Sequence, residues 1–117
     1  MLKVYSYAKC GTCRKAIAFL EAHGIPYSTI PIREQPPTKR ELQYMLKAYD
    51  GNIRKLFNTS GMDYKAMKLK DKLPDMSTVA AIQLLTEHGN LVKRPFVVGG
   101  DVAIVGFNED TWRDVFR

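Results

Sequence analysis

Leu2-Lys3-Val4-Tyr5-Ser6-Tyr7-Ala8-Lys9-Cys10-Gly11-Thr12-Cys13-Arg14-Lys15-Ala16-Ile17-Ala18-Phe19-Leu20 is the stretch whose reading decides the fold. Its opening, Leu2 to Tyr7, reads as an apolar strand. From Cys13 onward, apolar residues recur at Ala16, Ile17 and Leu20, the stripe of a helix packed on a sheet. The two cysteines of the chain stand at the junction as Cys-x-x-Cys. A cysteine pair in that position can supply a reactive thiolate and the second sulfur that resolves it.

Working outward, His23-Gly24 closes the helix, because glycine tolerates the left-handed conformation just past a helix end. Tyr27 to Ile32 alternates well enough for a second strand, and strand, helix, strand with short joints predicts a right-handed βαβ unit with parallel strands. Gln35-Pro36-Pro37 then breaks the backbone. Thr38-Lys39-Arg40-Glu41 is a capping box, followed by Leu42, Met45, Leu46 and Tyr49 at helical spacing and ended by Asp50-Gly51-Asn52. Short helical pieces fill 53–73, interrupted by Asn58-Thr59-Ser60-Gly61. Ser77 is the N-cap of a further helix running to His88-Gly89. Phe96-Val97-Val98, Gly99-Gly100-Asp101 and Val102-Ala103-Ile104-Val105 predict an antiparallel hairpin, and Asn108 caps a last short helix holding Trp112 and Phe116. The order βαβ, helices, ββα predicts one α/β domain over 1–117, a mixed four-stranded sheet with helices on its faces.

A chain of 117 residues can bury a single core, and its hydrophobic fraction of 45% and charged fraction of 26% are those of an ordinary globular protein. No apolar run approaches the ~20 residues needed to cross a bilayer, so no membrane association is expected. The N-terminus reads as a strand rather than a signal peptide, which points to the cytoplasm. In that compartment a close cysteine pair is more often catalytic, redox-sensing or metal-binding than a structural staple. The net charge of +6 favours acidic partners, whether nucleic acid, acidic protein surfaces or oxyanions, without choosing among them. A plain solvated basic surface accounts for it equally well. No direct nucleic-acid site is identifiable.

If the first helix starts near Thr12 or Cys13, Cys10 lies where unpaired backbone N–H groups and the positive end of the dipole favour an anion. Lys9, Arg14 and Lys15 add positive charge, Gly11 lets the backbone approach, and Cys13 can reach back from one turn on. Cys10 is therefore the expected nucleophile and Cys13 the resolving thiol. Zinc is a rival reading, but a structural site needs four ligands and there is no second cysteine pair. His23 and His88 each precede a glycine at a helix end, where a histidine meets the helix dipole without binding anything, so no metal is expected. Two unreactive cysteines in a packed helix start are the blander alternative. Lys93-Arg94-Pro95 before the hairpin is the second anchor. Taken alone, its proline is a strand-start device and its arginine a surface charge.

These features in this order resemble the ArsC/Spx family, a branch of the thioredoxin-like fold. The resemblance covers essentially the whole chain. It rests on the Lys9–Lys15 segment, Gln35-Pro36-Pro37, Leu56-Phe57-Asn58-Thr59-Ser60-Gly61, Leu91-Val92-Lys93-Arg94-Pro95 and Val105-Gly106-Phe107-Asn108-Glu109-Asp110. It implies a thioredoxin-like core at about 1–33 and 90–117 with an all-helical insertion at about 34–89. It also implies that Pro95 is a cis proline facing the cysteines, and that Arg94 sits beside Cys10, where its fork of donors holds an oxyanion or stabilises the thiolate. Gly11, Thr12, Arg14, Asn58 and Pro95 are the further candidates for oxyanion or thiol binding. In the family's arsenate reductases the cysteine attacks arsenate, arginines carry the oxyanion, and glutathione and glutaredoxin reduce the adduct.

The chain departs from that pattern. Asn58 stands where one arginine is expected, Gly106-Phe107 lies in the neighbourhood of another, and Cys13 replaces the serine typical of glutaredoxin-dependent members. Holding the oxyanion with one arginine instead of three forfeits charge-assisted bonds of ~1.5–3 kcal/mol each, which argues against efficient arsenate reduction. The same departures lead toward Spx-like members, which bind the C-terminal domain of the RNA polymerase α subunit and use the disulfide as an oxidative-stress switch. A basic helical stripe of Lys65, Lys68 and Lys72 would serve such a partner, or is simply a solvated face. Three readings follow. The first is a thiol–disulfide oxidoreductase with no bound cofactor, reduced by glutathione or a thioredoxin/glutaredoxin system. The second is a redox-sensing regulator of RNA polymerase, and the third a glutathione-binding relative without significant activity.

Overall fold

A computed structural model describes residues 1–116 of the chain. Leu2–Ser6 form β1, Gly11–Ala22 form α1 and Tyr27–Pro31 form β2, which pairs parallel to β1 from Leu2↔Tyr27 to Ser6↔Pro31. The hairpin strands Phe96–Gly99 (β3) and Val102–Val105 (β4) complete a sheet of order β2-β1-β3-β4. β3 runs antiparallel to β1, with Val4 opposite Val97. The expected mixed four-stranded sheet is thus present, and the first and last parts of the chain meet at its centre.

Between β2 and β3 lie Lys39–Ala48 (α2), Met62–Ala66 (α3), Leu69–Lys72 (α4) and Thr78–Glu87 (α5), with 3₁₀ turns at Ile53–Leu56, Leu73–Asp75 and Gly89–Leu91. Glu109–Val115 form α6. Strand alternation sorts the core into two layers, because successive side chains leave opposite faces of a sheet. Leu2, Val4, Val97 and Ile104 pack with Ala16, Phe19 and Leu20 of α1 and Trp112 of α6. Tyr5, Phe96 and Val98 pack on the other face against Leu42, Met45, Leu56, Phe57, Leu85 and Leu91 of the inserted helices. No helix among the described residues is long and apolar enough to cross a membrane.

The stripe of Lys65, Lys68 and Lys72 does not exist as one helical face. Lys68 takes a left-handed backbone (φ 55°) that separates α3 from α4, so the three lysines are exposed on different pieces.

One polar knot ties the inserted helices to the sheet. Thr38 and Glu41 form the capping box of α2. Glu41 Oε1 accepts from both the Thr38 N–H (2.9 Å) and the Tyr5 hydroxyl (2.6 Å), while Oε2 pairs with Lys3 Nζ at 3.3 Å. Burial alone would raise the Glu41 carboxyl, but Tyr5, the Thr38 N–H and Lys3 together hold it below its ordinary value. The stability it confers is therefore present above the unfolded carboxylate's pKa and lost as pH falls through the lower folded value. Glu41→Gln is expected to cost about 1–3 kcal/mol at neutral pH. Urea midpoints measured down the acid range should fall for the wild type and converge on those of the variant.

Candidate redox site

The loop Tyr7–Lys9 delivers Cys10 to the N-cap of α1. There its backbone is extended (φ −88°, ψ 115°) and its sulfur accepts the Cys13 N–H at 3.4 Å. A thiolate at that position satisfies one of the donors a helix start leaves unpaired and meets the positive end of its dipole. Cys10 is half-buried; Cys13, one turn on, is only 1% exposed. Both are free thiols.

Arg94 approaches from the segment before β3, with a cis Arg94–Pro95 peptide. Burial raises the Cys10 thiol, but hydrogen bonds from the Cys13 thiol and N–H, and from the Arg94 guanidinium with its charge, bring it below the ordinary thiol value. Cys13 is pushed up to about 12, chiefly by burial and then by the adjacent Cys10 sulfur, against a Tyr7 backbone hydrogen bond and the Arg94 charge. The two sulfurs are driven apart in acidity: one is set up to ionise and the other to hold its proton.

An open cleft of about 620 Å³ lies over Cys10, lined among others by Thr12, Asn58, Ser60, Lys93, Arg94 and Asn108. Its charged lining residues, Lys93 and Arg94, are both cations. Arg94 Nη1 is buried in the protein without a hydrogen-bond partner, which leaves a donor available to an acceptor that enters the site. Gly106 shapes the far wall at φ 71°, and the buried Trp112 indole fixes it by donating to the Gly106 carbonyl at 3.1 Å.

Of the residues singled out from sequence, Cys10, Thr12, Asn58 and Arg94 line this cleft, and Cys13 is buried one turn of α1 from Cys10. Asn58 is anchored by its own N–H on the Leu91 carbonyl at 2.7 Å. Gly11 sits at the helix start with nothing within 4 Å of where a Cβ would stand, so it leaves the thiol open rather than permitting a tight backbone contact. Pro95 is buried and does not line the cleft; its carbonyl accepts the Gly106 N–H at 2.8 Å. Arg14 is exposed, and its Nε donates to the Ala8 carbonyl at 3.2 Å. The downward pull on Cys10 comes from Arg94 and Cys13, not from the flanking Lys9, Arg14 and Lys15. His23 ends α1 with Nδ1 2.8 Å from the Phe19 carbonyl. Among the described residues, no cluster of histidine, cysteine and carboxylate side chains is placed to hold a metal.

Sequence reading passed over Tyr7 and Arg33. Arg33 Nη1 donates to the Tyr7 hydroxyl at 2.9 Å, and the Arg33 and Arg94 guanidinium carbons lie 4.8 and 5.3 Å from the Tyr7 ring centroid. Both positions belong to irregular segments after strands, where neither periodicity nor capping signals point to a contact.

A family model described as the ArsC family matches residues 5–115. The chain is 45% identical to the uncharacterized protein YusI of Bacillus subtilis, over 97% of this chain and 96% of that one. It is 30% identical to the regulatory protein MgsR of the same organism, over 92% of this chain and 83% of MgsR. A Bacteroides fragilis protein described as ArsC family related superposes with a TM-score of 0.90 at 38% identity, covering 97% and 96% of the two chains.

Proposed function

Because this chain belongs to the ArsC family, we propose that it is a thiol-redox protein in which Cys10 attacks an oxidised substrate and Cys13 resolves the adduct. The observation that carries this reading is a half-buried Cys10 sulfur at the start of α1 that accepts the Cys13 N–H and shares its cleft with Arg94, with a buried second thiol one turn away. Given a substrate disulfide, the Cys10 thiolate attacks one sulfur, forms a mixed disulfide and expels the other as a thiolate. Cys13 then gives up its proton and attacks the Cys10 sulfur, forming the Cys10–Cys13 disulfide and expelling the second substrate thiolate. The substrate gains two electrons and the protein loses two, which a cellular thiol restores: glutathione, or the thioredoxin/glutaredoxin system of a reducing compartment such as the cytoplasm.

The acidity of Cys13 orders these steps. While Cys10 is a thiolate, its charge helps hold the Cys13 proton in place. Once Cys10 enters the mixed disulfide that charge is gone, while Arg94 and the Tyr7 backbone bond still favour the Cys13 thiolate. The first step thereby releases the second.

Cys13→Ser tests the scheme, since it removes resolution and keeps attack. The expected result is a reductant-releasable adduct on Cys10 that accumulates in the variant and not in the wild type, read by intact-protein mass after incubation with a disulfide. No adduct in either protein, with Cys10 titrating as a free cysteine, would overturn the proposal. The similarity to the regulatory protein MgsR favours a second reading, a redox-sensing regulator whose partner is the α chain of RNA polymerase. That reading expects a stoichiometric complex with the C-terminal domain of α, tightened or loosened by the oxidation state of the cysteine pair.

A further inference from the structure

Tyr7 touches every member of the thiol site. Its carbonyl accepts the Cys10 N–H at 2.9 Å, and its backbone favours the ionised form of the Cys13 sulfur. Its ring has the Arg94 guanidinium 5.3 Å from its centroid and the Arg33 guanidinium 4.8 Å away, and its hydroxyl is held by Arg33 Nη1 at 2.9 Å. Arg94 has little else to fix it. Among the described residues no carboxylate forms an ion pair with it, and its Nη1 lacks any hydrogen-bond partner. A guanidinium on a long, rotamer-rich stem needs such a support to stay on one sulfur, and an aromatic face within about 6 Å supplies it.

We propose that Tyr7 is a positioning residue: its ring, steadied by Arg33, holds the Arg94 guanidinium against Cys10. The inference rests on the thiol-redox reading above and names a residue through which the nucleophile is controlled. The charged and titratable groups around Cys10 are Tyr7 after β1, Cys13 on α1, Tyr49 at the end of α2, Lys93 and Arg94 before β3, and Arg33 after β2, beyond the ring. The flanking Lys9, Arg14 and Lys15 are exposed. Of these, Arg94 is the cation that acts on the sulfur, so displacing it changes the ionisation of Cys10.

The test is the pH dependence of Cys10 alkylation by iodoacetamide, read at the Cys10 peptide by mass spectrometry in the full chain. Tyr7→Leu is expected to move the profile upward by about one pH unit, the lower end of the effect of losing a nearby opposite charge. Tyr7→Phe, which keeps the ring, is expected to stay near the wild type. The double variant Tyr7→Leu/Arg94→Ala should move no further than Arg94→Ala alone, because both remove the same contact. A generally loosened fold would instead shift the profile in both backgrounds. Tyr7 is partly exposed beyond the last ladder of β1, and Tyr7→Gln repeats the test should the leucine variant fail to fold. An unchanged profile in Tyr7→Leu or Tyr7→Gln, or a shift that adds fully to that of Arg94→Ala, would overturn the inference. A wild-type Cys10 that titrates as a free cysteine would instead sink the thiol-redox reading beneath it.

Discussion

Under the proposed thiol-redox function, Cys10→Ser is expected to bring disulfide reduction down to the uncatalysed background, whereas Arg94→Ala is expected to leave the reaction present and displace it to higher pH. A serine hydroxyl at the same N-cap accepts the same N–H but does not ionise near neutrality, so no nucleophile forms. In Arg94→Ala the sulfur stays, and what goes is a charge-assisted bond that favours its thiolate form. Below the thiol pKa, each unit of upward shift leaves about tenfold less thiolate, and the neutral-pH rate falls by a similar factor at most. Initial rates against a small aromatic disulfide across the neutral and alkaline range separate the two variants. Arg94→Ala should recover toward the wild-type rate at alkaline pH, and Cys10→Ser should not recover at any pH. Activity remaining in Cys10→Ser would place the nucleophile elsewhere.

Gly89→Ala should be among the most damaging single-methyl changes in the chain. A Cβ at Gly89 would stand 1.9 Å from the Ile32 carbonyl oxygen, 2.8 Å from its carbon and 3.0 Å from Arg33 Cα. All three are backbone atoms, so no flexible side chain can give way. The turn at Gly89–Leu91 must move off the end of β2, at an expected loss of about 3 kcal/mol or more. The displacement would reach the site, because Leu91 and Lys93 are stitched to Asn58 and Leu56 by backbone bonds of 2.7 and 2.8 Å, immediately before Arg94. Gly11→Ala is the control: its Cβ meets nothing within 4 Å and its backbone is helical. Urea titration should show a large drop for Gly89→Ala and little change for Gly11→Ala; equal midpoints for Gly89→Ala and the wild type would refute the contact.

The elements legible in the sequence are those whose signals are local. The Thr38–Glu41 capping box, the Ser77 and Asn108 caps and the glycine turn of the hairpin each depend on residues a few positions apart, and each appears where it is expected. The lysine stripe fails because periodicity presumes an unbroken helix, and the left-handed backbone at Lys68 carries no side-chain signature. At the site, the cysteines announce themselves by spacing. The source of the charge does not: proximity along the chain favours Lys9, Arg14 and Lys15, and Arg94 enters only through the family resemblance. A cation a few residues from an N-cap can turn away from the sulfur, as Arg14 does to reach the Ala8 carbonyl. Tyr7 and Arg33 are illegible for a similar reason, since a cation–π contact between two irregular segments leaves no periodic trace.

The central pairing of the sheet has a consequence for the order in which the protein is made. β1 leads directly into the thiols near the beginning of the chain, yet its antiparallel partner β3, with Arg94 just before it, is synthesised near the end. Chain elongation is slow relative to local folding, so α1 and the inserted helices leave the ribosome well before the hairpin that completes the sheet. Throughout that interval Cys10 is without Arg94 as a neighbour. The contrast in acidity between the two sulfurs, Cys10 lowered beside Arg94 and Cys13 raised by burial, is therefore expected only once β3 has inserted beside β1.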